Sequence, residues 1–242
     1  MFKLFLLIFS FIATVAINTL ANTLPINNQT TAEISNRLPV LFTPAGYVFS
    51  IWGVIYVLLA YWIWNMLKEY RQTKTVPISR VLLFVISSIF NISWIFLWHY
   101  EHFNYSLIAM FGLLGTLFLL YMTYSSERQL FKQRLPISIY LGWIFVALFA
   151  NLDYVLTYYE FNGFGMTKPL WTVIYLTIAT AIALHFRYHY NDRAIVLVFI
   201  WSFFGIMVRH KLDVLFISSV SLFLICVLIV GILFIKKTPS KS

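Results

Sequence analysis

Eight apolar runs, each long enough to cross about 30 Å of hydrocarbon, leave this chain little choice of architecture. They fall at roughly 3–22, 45–66, 80–98, 105–124, 137–157, 169–186, 194–208 and 213–235. In lipid every backbone polar group must be satisfied within its own segment, so runs of this length predict helices. Composition agrees: 61% of the residues are hydrophobic and only 10% charged, too few to cover the surface of a soluble domain. The expected fold class is all-α, a polytopic membrane helix bundle whose partner is the lipid bilayer. The seventh run is short enough to sit with little tilt or to re-enter.

The net charge of +9 does not mark a nucleic-acid binder, because the cations lie between apolar runs rather than on one basic face. Their distribution orients the chain instead. Lys3, the cations of 68–80, 128–134 and 187–193, and Lys236, Lys237 and Lys241 fall on one side. Only Arg37, Lys168, Arg209 and Lys211 fall on the other. Both termini are therefore expected in the cytoplasm, in a multi-pass protein of a bacterial-type plasma membrane. The first run has a second reading as a secretory signal, from Met1-Phe2-Lys3 to Thr19-Leu20-Ala21. Its length and the flanking Asn18 and Asn22 favour a retained helix. Cys226 is the lone cysteine, so no intrachain disulfide is available.

The longest connection, Thr23 to Phe42, is polar and expected outside; Asn28-Gln29-Thr30 in it is a glycosylation acceptor only in a eukaryote. Its apolar end, Leu38-Pro39-Val40-Leu41-Phe42, is expected to pack on the bundle, which makes the loop a candidate lid. Next comes Thr43-Pro44-Ala45-Gly46-Tyr47-Val48-Phe49-Ser50-Ile51-Trp52. Thr43 is expected to cap the second helix, with Pro44 in its first turn and Ala45 and Gly46 keeping the entrance narrow. Phe49, Trp52, Gly53, Tyr56 and Ala60 recur at three- and four-residue spacing and share a face. That face reads as helix packing with an interfacial aromatic belt, or as the wall of a site.

Polar residues inside the spans concentrate in one leaflet: Asn18 and Asn22 in the first span, Asn91, Trp94 and Trp98 in the third, Asn151, Asp153 and Tyr154 in the fifth. Two readings stay open. The asparagines hydrogen-bond between helices, or they edge a cavity among the first, second, third and fifth spans that suits a flat, mostly apolar ligand. His99, Glu101 and His102 are candidate metal or haem-iron ligands, or residues of a wet interface. His185 and His189 have the i, i+4 spacing of a zincin helix, but Phe186 stands where its glutamate should be. Arg209, His210, Lys211 and Asp213 form a tight turn or a place for a propionate. Ala109, Gly112 and Gly115 would let helices approach closely. No nucleophile elbow, phosphate-binding glycine loop, paired intramembrane carboxylates or Ser/His/Asp set appears, and no metal is expected.

Three of these stretches together resemble the TspO/MBR family of tryptophan-rich sensory and translocator proteins. The run 43–52 is similar to its P-P-G-W-x-F-x-x-x-W signature, Asn91-Ile92-Ser93-Trp94 to the N-x-x-W of its third helix, and Pro136, Trp143, Phe145, Ala147 and Asn151 to its fifth-helix pattern. Ala45 replaces the second proline and Tyr47 the usual tryptophan, and no base follows Tyr154 as a sterol-contact motif requires. The resemblance implies a five-helix ligand-binding core at 1–157; the later spans have no counterpart in that core and read as a three-helix membrane extension at 158–236, followed by a cytoplasmic tail at 237–242. The resemblance also implies a homodimer. It implies a pocket lined by Trp52 and Trp143, supported by Trp94 and Asn151, with Tyr56, Ala147, Pro44 and Gly46 beside it. Its ligand would be a tetrapyrrole, porphyrin or haem, or a similar flat metabolite, with no obligatory cofactor. A solute transporter and a light-dependent porphyrin-degrading enzyme are the alternative functions.

Overall fold

The computed structural model describes residues 2–124 and 133–235. Arg128, Lys132, Lys236, Lys237, Lys241 and the expected tail at 237–242 lie outside the described residues. Among the described residues the chain is helical, without a β-strand, and eight of its helices are long and apolar enough to cross a membrane. It is an integral, multi-pass membrane protein. Every expected span appears, the ends shifted by a few residues, as usual where helix termini fray or tighten. The largest shift extends the second span to Thr73, and the seventh run forms an unbroken helix from Arg193 to His210.

Packing divides the chain into two compact units, one of residues 1–38 and 50–144, the other of 39–49 and 145–242. The first unit holds α1 (Phe2–Thr23), a short α2 (Thr31–Arg37), α3 (Ile51–Thr73), α4 (Ile78–His99), α5 (Phe103–Met122) and the start of α6 (Leu135–Tyr158). Here α1 lies along α4 and α4 along α5. The small face of α5 has a partner within the unit: Ala109 is buried and a Cβ on Gly112 would press into the Phe90 ring, while Gly115 stays open. That close approach is what small residues permit in a membrane. α2 begins in a capping box, in which the Thr30 hydroxyl accepts the Glu33 N–H and the Glu33 carboxylate accepts the Thr30 N–H at 2.7 Å.

The second unit holds the rest of α6, then α7 (Lys168–Tyr190), α8 (Arg193–His210) and α9 (Leu215–Phe234), the last three packed against one another. Asp192 caps α8 through its carboxylate, which accepts the N–H groups of Ala194 and Ile195. The buried Arg187 is held by the Asn191 side chain and by the Ile232 carbonyl at 3.1 Å, which ties the end of α7 to α9. Of the eight spans α6 has the largest buried share, 67% of its most apolar stretch.

The second unit also contains an extended strap, residues 39–49, and here one expectation fails. Thr43 does not cap the second helix. The chain first winds a 3-10 turn, Gly46–Ser50, and the α-helix starts at Ile51 without a side-chain cap. The cause is a competing backbone bond: Ala45 N–H donates to the Gly205 carbonyl at 3.1 Å, which holds residues 43–45 against α8. The apolar end of the long loop packs as expected, with Val40 and Phe42 fully buried.

Candidate functional site

The first unit gathers side chains from α1, α3, α4 and α6, the four spans expected to converge. Asn18 on α1 donates to the Asn91 side chain on α4 at 2.6 Å, and Asn91 donates to the Tyr140 hydroxyl on α6 at 3.1 Å. All three residues are buried. The asparagines thus do what membrane bundles commonly ask of them, a hydrogen-bonded relay between helices. The relay ends among aromatic rings. Trp52 stacks on Tyr56, one turn along α3, with centroids 5.6 Å apart. It meets Tyr140 at 5.9 Å and Trp143 at 6.3 Å, both edge to face. These are the offset and perpendicular geometries that the aromatic quadrupole favours.

One side of this cluster is open. Trp52 and Tyr56 are half-buried, Gly53 and Ala60 exposed, and a Cβ on Gly53 would meet nothing within 4 Å. The face predicted from spacing is therefore a shelf of two stacked rings beside a glycine gap, backed by buried Trp143 and Tyr140. Tyr140 accepts from Asn91, and among the described residues its own O–H has no acceptor. A donor at the inner edge of an aromatic shelf can hold the polar rim of a flat molecule.

The remaining expected site residues are distributed as follows. Trp94 is half-buried on α4 and stacks on Trp98 at 5.6 Å. Ala147 and Asn151 lie one and two turns beyond Trp143 on α6, in the part belonging to the second unit; Asn151 is buried. Pro44 and Gly46 belong to the strap, also in the second unit. There Pro44 and Val48 lie against Gly205, where any Cβ would collide with the Val48 side chain and come within 3.0 Å of the Pro44 ring. Trp201 Nε1 donates to the Val48 carbonyl at 3.2 Å, His210 Nε2 lies 2.7 Å from the Leu41 carbonyl, and the Asp153 carboxylate accepts the Phe42 N–H at 3.1 Å. Arg209 reaches the Pro44 carbonyl at 3.5 Å. Arg209 and His210 thus serve the strap, and the propionate reading of that turn loses two of its groups. The Ala45 amide at the strap's helix entrance is likewise engaged by Gly205.

The long loop, the candidate lid, is tied to the α4–α5 turn. Arg37 forms an ion pair with Glu101 at 2.6 Å, Gln29 donates to the same carboxylate at 3.3 Å, and Asn27 donates to the His99 carbonyl at 3.0 Å. The Arg37 hydrogen bond holds the Glu101 carboxyl below its ordinary range. His99 is buried, its Nδ1 2.7 Å from the Ile95 carbonyl and its Nε2 3.4 Å from the Thr31 hydroxyl. His99 and Glu101 are thus engaged in fixing the lid, and among the described residues no cluster of three or more His, Cys, Asp or Glu could hold a metal. On α7 the His185 and His189 ring centroids lie 4.3 Å apart with the planes tilted by 39°.

Comparison with known proteins identifies the lineage. The family model for TSPO-like proteins matches residues 4–234. The chain belongs to the TSPO-like family. The match runs through the last three helices as well as the first five, so α7 to α9 are inside the family pattern. No curated protein and no solved structure matches the chain. Family membership makes this a membrane protein of the sensory or ligand-binding kind. Tyr140 is the member of the cluster that motif reading passed over. It stands three residues before Trp143 and seven before Ala147, and that spacing alone puts it on their face.

Proposed function

We propose that the protein binds a flat, largely hydrophobic metabolite of the tetrapyrrole class on the Trp52 shelf. The observation that carries the proposal is the open aromatic face of Trp52 and Tyr56, backed by Tyr140, whose hydroxyl accepts from Asn91 and keeps its own O–H to donate. A planar macrocycle gains most from stacking on such a face, where large rings offer area at little cost in side-chain entropy. The hydroxyl supplies one directed polar contact, which orients a ligand more than it strengthens binding. The Asn18–Asn91–Tyr140 relay fixes that hydroxyl. Its value to the site is positional. Membrane topology fits this role: we place both termini in the cytoplasm from the distribution of Lys and Arg, so the lid faces outward.

The test is a titration of the purified full chain in detergent with protoporphyrin IX, followed by tryptophan quenching. Saturable binding is expected, weakened about tenfold by Trp52→Phe, equivalent to about 1.4 kcal/mol, and less by Tyr140→Phe. Saturable binding unchanged in both variants would remove the shelf from the account.

A further inference from the structure

A second cavity lies wholly within the second unit, outside the Trp52 cluster. It encloses about 280 Å³ where the end of α6 turns through residues 159–167 into α7. Its floor is the buried carboxylate of Asp153 and the buried ring of Tyr175. Phe161 and Trp171 form an aromatic wall, and the exposed Glu160 and Lys168 stand at the mouth. The rings are arranged as a partial cage. Trp171 lies 5.8 Å from Tyr175 and 6.0 Å from Phe161. Trp171 donates its indole N–H to the Gly163 carbonyl at 2.9 Å, so its ring is fixed and its one donor is already satisfied. Gly163 is required there, with φ +64° and Trp171 Nε1 only 2.9 Å from where a Cβ would stand.

An aromatic belt at the membrane interface accounts for the rings but not for two carboxylates among them. Asp153 already accepts the strap's Phe42 N–H, yet a carboxylate has capacity for several donors. Two acids against one lysine leave the lining acidic, and aromatic faces attract cations through their quadrupole. The geometry points to a binding site for an alkylammonium group, primary or quaternary, carried by a soluble amine or a lipid headgroup. The ammonium sits between Asp153 and Glu160, its substituents against Phe161, Trp171 and Tyr175. Lys168 opposes it. The site is independent of the Trp52 shelf.

The sign of that opposition makes the test sharp. Purified full chain in a neutral maltoside detergent is titrated calorimetrically with benzyltrimethylammonium, and with benzenesulfonate as the anionic counterpart. Saturable cation binding is expected within about 10 mM. Glu160→Gln weakens it and Lys168→Ala strengthens it, each by about 3- to 10-fold, and both side chains are exposed at the mouth, so neither change disturbs the core. Competition by choline and by lysophosphatidylcholine then separates the sources. Stronger competition by the lysolipid assigns a headgroup, and equal competition a soluble amine. Absence of saturable cation binding overturns the proposal. So does preferential binding of benzenesulfonate, strengthened by Glu160→Gln, which would make Lys168 the recognising group.

Discussion

The lid, residues 24–38, and the strap, residues 39–49, adjoin in sequence but are held by opposite means. The lid's side chains meet polar partners at the α4–α5 turn, and its principal ion pair joins residues about one-third exposed. The strap is held mostly through its backbone: its amides and carbonyls pair with Gly205, Asp153, Trp201 and His210. Exposed ion pairs are screened by salt and contribute little, whereas buried backbone groups deprived of partners are costly. The lid's polar ties are thus the weaker set, leaving the buried Ile34 as its main apolar anchor, and the strap's backbone ties are the stronger.

Four changes would break or sharpen the contrast. The largest effect is expected from Gly205→Leu, whose side chain cannot fit against Val48 and Pro44. It should cost about 3 kcal/mol, read as a lowered thermal midpoint in detergent, with new protease cleavage in the strap. Asp153→Ala removes the acceptor of the buried Phe42 amide and should cost about 2 kcal/mol, with Asp153→Asn recovering part because it keeps an acceptor oxygen. In the lid, Thr30→Ala breaks the capping box of α2 and should cost about 1 kcal/mol, visible as faster amide exchange confined to residues 31–37.

The smallest effect belongs to Glu101→Gln, about 0.5 kcal/mol, disappearing at high salt. The same pair sets the pH dependence. Because the folded Glu101 carboxyl lies below its ordinary value, its contribution is complete above the usual glutamate range and is lost as pH falls through the lowered folded value. Protection of the lid amides, with intrinsic exchange rates divided out, should therefore fall on acidification.

The spans were legible because the bilayer demands long apolar helices and every one declares itself locally. The Trp52–Tyr56 stack was legible too, since both residues lie on one helix at a four-residue spacing. Long-range pairs were not. Nothing around Gly205 announces that it receives Pro44 and Val48 from more than 150 residues away, and the start of the second helix was misread for that reason. Thr43-Pro44 carries a sound local capping signal, overridden by the Ala45–Gly205 backbone bond. Tyr140 was obscured differently, as a tyrosine among many aromatics whose hydrogen-bond partner comes from another helix. His99 and Glu101 looked like ligands because buried or clustered titratable groups have two explanations. Only the positions of Arg37, Thr31 and Ile95 select the structural one.

The most direct test of the Trp52 shelf uses the ligand as its own reporter. Protoporphyrin IX bound to the purified protein generates singlet oxygen under illumination, and the tryptophans it oxidises can be located by mass spectrometry. The shelf predicts oxidation concentrated at Trp52 and suppressed by a non-photosensitising competitor such as haem. Oxidation centred on Trp171 or Trp201, with Trp52 intact, would contradict it.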